Sequence, residues 1–238
     1  MRNSHIAMLA ALGAVILVIV VVIGAVRIAL FDSNGDFDPE SAGTNTATVS
    51  RELTGFNAIN IRSGWSVELE RDESWTVSLS VPEDEDENLD VFVDRNTLVL
   101  DTRDTRDWNW FGGNDTYEAR ITLPNLNAIE IDGAGHVEID GFDEDSLSVV
   151  INGMAAVEGR DSSFRKVSIA ISGFANVDLT RVPTENVDVM LTGASNVDLN
   201  MDGGQLTGTS SGFSNVNYRG TVSNENIRVS GFTNVSPE

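Results

Sequence analysis

Four carboxylates stand 20 residues apart: Glu138, Glu158, Asp178 and Asp198. Each directly follows a valine, and each of those valines lies four residues beyond a glycine. Side chains recurring at a fixed interval on a regular scaffold stack into a row. A row of hard oxygen ligands has the chemistry to hold Ca2+. Without a cation, the same row sets like charge on like charge, which costs stability in dilute buffer. Plain solvated charge is the simpler reading, and Ca2+ is the one cofactor left open.

The second candidate is aromatic. Trp108, Trp110 and Phe111 lie in "RDTRDWNWFGGND", a polar, glycine-flanked stretch at 103–115. Such residues stack on sugar rings or anchor a protein partner, but they serve equally to cover an apolar side or end of a scaffold. The "NDT" that follows makes Asn114 an N-glycosylation acceptor, while "NVS" at 234–236, ahead of Pro237, is a weaker one. The acidic turn "PEDEDEN" at 82–88 lacks the ligand spacing of a calcium loop. The chain has no cysteine and only two histidines, His5 and His136. Disulfides and thiolate sites are therefore excluded, and a histidine zinc site or a Ser-His-Asp triad has almost no material. No catalytic residue is assigned.

The scaffold that must position these groups is written in one recurring phrase. "DGAGHVEI", "NGMAAVEG", "SGFANVDL", "TGASNVDL", "SGFSNVNY" and "SGFTNV" carry Gly133, Gly153, Gly173, Gly193, Gly212 and Gly231, at intervals of 20, 20, 20, 19 and 19. Self-similarity at a short fixed period marks a solenoid. Within each repeat the apolar period is two: Ile129/Ile131, Val149/Ile151, Ile169/Ile171 and Val189/Leu191 precede the glycine. Val137, Val157, Val177, Val197, Val216 and Val235 follow it. This reads as strand, glycine corner, strand, with "TRVPTEN" and "NMDGGQ" closing circuits.

The predicted fold class is all-β: a single-stranded parallel β-helix of coils about 20 residues long, with rungs ~4.8 Å apart. Its valines fill the interior, and Asn176, Asn196, Asn215 and Asn234 form an amide row able to pass hydrogen bonds between coils. Gly64, with Ile59, Ile61, Val67 and Leu69, predicts an earlier coil. The strands at 76–102 are expected to form wider coils or hairpins that cap the end.

Residues 6–26 are 21 uncharged, mostly apolar residues, and as a helix they span ~30 Å, the thickness of a bilayer core. The run is too long for a signal peptide's apolar region and no A-x-A cleavage site follows it. The expected organisation is a transmembrane anchor at 1–30, a flexible acidic stalk at 31–52 and the β-helical head at 53–238. So short a segment precedes the anchor that the head is placed outside the cytoplasm.

Beyond residue 30 the chain has 37 acids against 13 bases, a net charge of −24, and only one of those bases is lysine. Such a surface repels nucleic acid and anionic lipid. It also suits concentrated salt, where the Debye length falls to ~3 Å at 1 M.

The order "FNAINIRSGWSVEL", "TVSLSVPEDEDENLDVFVDRNTLVLDT" and "YEARITLPNLNAIEIDGAGHVEI", followed by the coils, resembles the putative auto-transporter adhesin, head GIN domain family. The resemblance covers about residues 53–235. It implies a parallel β-helix, commonly described as right-handed, on bacterial and archaeal envelope proteins of unknown biochemical function. It brings no catalytic residues; this chain departs from the family in its insertion at 103–116 and its acidic turns. The expected function is a non-catalytic, membrane-anchored surface module that binds an envelope protein or glycan. The alternatives are a polysaccharide-active β-helix enzyme, which would need two carboxylates at a defined separation, and an accessory of an envelope-stress sensor.

Overall fold

The computed structural model describes residues 46–82, 86–103 and 117–237. The expected anchor at 6–26, together with Trp108, Trp110, Phe111 and Asn114, lies outside the described residues. Among the described residues no helix is long and apolar enough to cross a membrane.

The strands run β1 (Thr46–Arg51), β2 (Ala58–Ile61), β3 (Trp65–Arg71), β4 (Thr76–Pro82), β5 (Leu89–Asp94), β6 (Thr97–Thr102), β7 (Tyr117–Leu123) and β8 (Ala128–Ile131). They continue as β9 (Ala134–Asp140), β10 (Asp143–Ile151), β11 (Met154–Arg160), β12 (Ser163–Asp202), β13 (Gln205–Ser210), β14 (Phe213–Thr221), β15 (Asn224–Val229) and β16 (Phe232–Pro237). One 3-10 turn, Asp86–Asn88, precedes β5.

From β8 onward these strands wind into an all-β solenoid of about six turns. The pairings printed by the repeat period are the ones observed, and they are parallel. Val149 of β10 lies between Ile129 and Ile169, and Val157 of β11 between Val137 and Val177. Where the period shortens to 19, Val197 faces Val216. Alternation of β-branched residues thus places one apolar row on each inner face, and Val137, Val157, Val177, Val197 and Val216 are fully buried. Gly159 interrupts the inner row of Ile139 and Leu179 for a packing reason: a Cβ there would lie 2.5 Å from Val182 Cγ2, which occupies the space.

The first predicted coil is present, but its place in the stack is not sequential. β2 pairs with β8 (Ile59 with Ile129, Ile61 with Ile131), and β3 pairs with β9 (Val67 with Val137, Leu69 with Ile139). On the other side of this coil lie β6, against β2, and β7, against β3, both parallel. The coil of 58–71 is therefore sandwiched between stretches of chain that come 39 to 70 residues later. β6 and β7 thus take the places in their rung that β2 and β3 take in the coil of 58–71.

Antiparallel strands then close this end, as the hairpin alternative expected. β5 pairs with β6, β4 with β7 and β1 with β4. β1 departs from the expected stalk at 31–52, because its residues 46–51 form the outermost strand. Its inward side carries only Ala47 and Val49, too short an apolar alternation to stand out in sequence; backbone pairing with β4 and the packing of Val49 on the core hold it, while Thr46 and Thr48 face outward. A polar outer strand of this kind protects an exposed sheet edge.

The corners depend on two glycines in particular. A Cβ on Gly193 would sit 2.1 Å from the carbonyl oxygen of Gly173, and one on Gly173 would sit 2.1 Å from that of Gly153; φ is +139° and +151°. Backbone cannot yield as a flexible side chain does. Gly193→Ala is expected to destabilise the head by roughly 3 kcal/mol or more. Gly55→Ala, at φ +80° with open space around it, should cost only about 1 kcal/mol. Urea unfolding of the two variants checks the contrast, and equal losses would contradict it.

Candidate binding face

The strands after the glycine corners, β7, β3, β9, β11, the second half of each β12 coil, β14 and β16, share one outer face with four parallel columns. Nearest the corner come Ala134, Met154, Phe174, Ala194, Phe213 and Phe232. Two residues further along each strand lie His136, Ala156, Asn176, Asn196, Asn215 and Asn234. The predicted carboxylates Glu138, Glu158, Asp178 and Asp198 form the third column, joined by Glu68 below and Asn217 above. The fourth contains Glu70, Asp140, Arg160, Thr180, Asn200 and Arg219.

The acid column is thus a true row, and partners that the sequence did not reveal relieve it. Arg160 reaches Asp140 at 2.9 Å, Glu138 at 3.3 Å and Glu68 at 3.7 Å, while Arg120 takes Glu68 at 3.2 Å. The Asp140 hydrogen bond, with the added charges of Asp140, Glu138 and Glu68, holds the Arg160 guanidinium above its ordinary pKa. Higher up, Asp178 Oδ1 accepts from the Thr180 backbone N–H at 3.0 Å and from its hydroxyl at 2.6 Å. Asp198 accepts from Asn196 and, at 2.8 Å, from Asn217. Among the described residues no group of three or more His, Asp or Glu is arranged to hold a metal ion. The expected amide relay appears at one rung, where Asn196 Nδ2 donates to Asn176 Oδ1 at 3.2 Å.

The groups that sequence reasoning missed are phenylalanines. Phe174, Phe213 and Phe232 are 54%, 41% and 52% exposed, and the last two stack at 5.2 Å between centroids, 12° from parallel. Large apolar side chains in an exposed row mark an interaction surface. The signal was legible: three of the six phrases read "SGF", with the phenylalanine at the outward parity.

Residues 55–180 match the family described as putative auto-transporter adhesin, head GIN domain. The chain belongs to that family. No curated protein matches this head GIN chain in sequence. Among solved structures it is similar to a putative adhesin from Bacteroides fragilis, at TM-score 0.63 and 16% identity, covering 82% of this chain and 98% of that one. It is also similar to a putative lipid binding protein from Parabacteroides distasonis, at TM-score 0.51 and 12% identity, covering 82% and 97%. At such identities the likeness establishes the shared fold alone.

Away from this face, Glu144 is the one described carboxyl held above its ordinary range by burial; Asp143 and Asp145 add to the shift and Arg71 opposes it. Its folded state favours the proton, so its contribution to stability is present below the ordinary pKa of 4.5 and lost as pH rises through the raised value. Glu144→Gln should match the parent in acid and exceed it at neutral pH in thermal melts.

Arg160→Gln should lower stability by about 1 kcal/mol in dilute buffer, since it leaves Glu68, Glu138 and Asp140 facing one another. In molar salt the difference should shrink towards zero. Melting curves across a salt series measure both, and a salt-independent loss would contradict the electrostatic account.

Proposed function

We propose that this head GIN protein is a non-catalytic, membrane-tethered binding module of the cell surface, and that its phenylalanine and asparagine columns form the contact face. The observation that carries the reading is the exposed row of Phe174, Phe213 and Phe232 beside a regular polar array. A soluble monomer rarely leaves contiguous apolar surface unpartnered. A repetitive rigid face also suits many weak contacts made together.

Residues 6–26 serve as the anchor and the segment after them as the tether, with the head outside the cytoplasm. The uncharged length of that run supports this placement. The right-handed winding favoured for parallel crossovers is part of the same reading. So is salt adaptation, supported by 37 acids against 15 bases. The non-catalytic assignment is supported by the state of the outer carboxylates: Glu138, Asp178 and Asp198 already accept bonds from Arg160, Thr180 and Asn217, as structural groups do.

The test is made on cells expressing the full chain. Protease added outside intact cells should release the head, and those cells should retain added envelope fragments several-fold better than cells carrying Phe174→Ser, Phe213→Ser and Phe232→Ser together. A head protected from external protease would contradict the orientation. Equal retention by the triple variant, expressed at the same level, would contradict the contact face.

A further inference from the structure

The apolar column is broken at one rung. Ala194 pairs in register with Phe213 above it, and Phe174 lies one coil of 20 residues below. The amide bond from Asn196 to Asn176 fixes that lower register. Phe213 and Phe232, on adjacent rungs, stack at 5.2 Å. Phe174 and Phe213 are two rungs apart, or about 10 Å, with only a methyl group between them. A ring placed midway would lie ~5 Å from each phenylalanine, inside the range over which rings stack.

We propose that this notch is a binding subsite for one ring of an uncharged polysaccharide. The proposal rests on the surface-binding reading above and names its ligand class. The chemistry of the neighbouring columns selects the occupant. One strand step of two residues, ~7 Å from the notch, stand the amides of Asn176, Asn196 and Asn215. Asn196 Nδ2 is given to Asn176 Oδ1 and to Asp198, so the groups that face a ligand are Asn176 Nδ2, Asn196 Oδ1 and the Asn215 amide. A pyranose presents apolar C–H faces to flanking phenyl rings and a rim of hydroxyls at the distance of those amides. A guanidinium or ammonium group would require a carboxylate at the notch. The carboxylate column is two steps away, about 13 Å, and Asp178 and Asp198 are already engaged by Thr180 and Asn217. An aromatic side chain of a partner would offer no hydroxyl to Asn176 Nδ2, Asn196 Oδ1 or the Asn215 amide. Polyanions, including uronic-acid polymers, are repelled by the net charge of −22.

The experiment uses the full chain in nanodiscs of neutral lipid and hexasaccharides of glucose, N-acetylglucosamine, mannose, galactose and galacturonic acid. At least one of the neutral hexasaccharides is expected to bind, and the galacturonic acid one to fail. Ala194→Phe fills the notch and completes the stack, so it should abolish sugar binding while keeping or raising the melting temperature. Phe174→Ser should weaken binding at least tenfold, and Asn196→Ala about fivefold. Absence of binding by every neutral hexasaccharide would overturn the subsite, as would binding unchanged by both Ala194→Phe and Phe174→Ser. Displacement of the sugar by an arginine hexapeptide at equal concentration would also overturn it, in favour of a cationic partner. If cells still retain envelope fragments through the phenylalanine face while no sugar binds, only the ligand class fails. Loss of both results removes the binding module itself.

Discussion

The molecule depends on one close approach: from Gly153 onward, the backbone at each corner rests on the carbonyl of the glycine in the coil before. No side chain fits between Gly193 and Gly173, or between Gly173 and Gly153. That approach sets the register at the corner, and every column follows from the register. The buried valines from Val137 to Val216, the asparagine column and the acid column are all consequences of the same alignment. A slip of one residue would turn valines outward and asparagines inward.

Alignment has an electrostatic cost, because equivalent acids come to lie side by side. The structure offsets it locally. Arg160 gathers Glu68, Glu138 and Asp140 in the lower coils, and threonine and amide donors take the aspartates in the upper ones. This division leaves two regions on one face. The lower part is a closed network of paired charge, and the upper part combines amides with exposed phenylalanines. Only the upper part offers apolar surface with uncommitted space beside it, which is why the contact face is assigned there.

Much of this was legible in the residues. The interval between Gly133 and Gly231, and the alternation around it, specified parallel coils and the identity of the inner and outer rows. Gly64 correctly marked an earlier coil. The sequence could not show that β6 and β7 lie beneath that coil, because pairing between distant segments leaves no periodic trace. β1 is hard to see in sequence because its inward alternation is only Ala47 and Val49, set among threonines and serine. The acid row is legible as a row, but the column beside it holds arginine at Arg160 and Arg219 alone, with no repeat-wide pattern, so the role of Arg160 in joining three coils is a property of the fold. Trp108 and Trp110 stand out in sequence because they sit in a polar, glycine-flanked stretch, whereas the phenylalanines of "SGF" sit inside the repeat and only the register of the coils shows them stacked on one outer face.

The central claim is the register of the coils, including the insertion of the 58–71 coil beside chain 70 residues distant. The absence of native cysteine permits a direct measurement. Glu70 and Asp140 pair across that junction, whereas Glu70 and Arg160 are two rungs apart, about 10 Å. Mild oxidation of the full chain carrying Glu70→Cys and Asp140→Cys should close a disulfide, while Glu70→Cys with Arg160→Cys should remain reduced, since a bridge cannot span α-carbons more than ~7 Å apart. Failure of the first pair, or closure of the second in its place, would contradict the account.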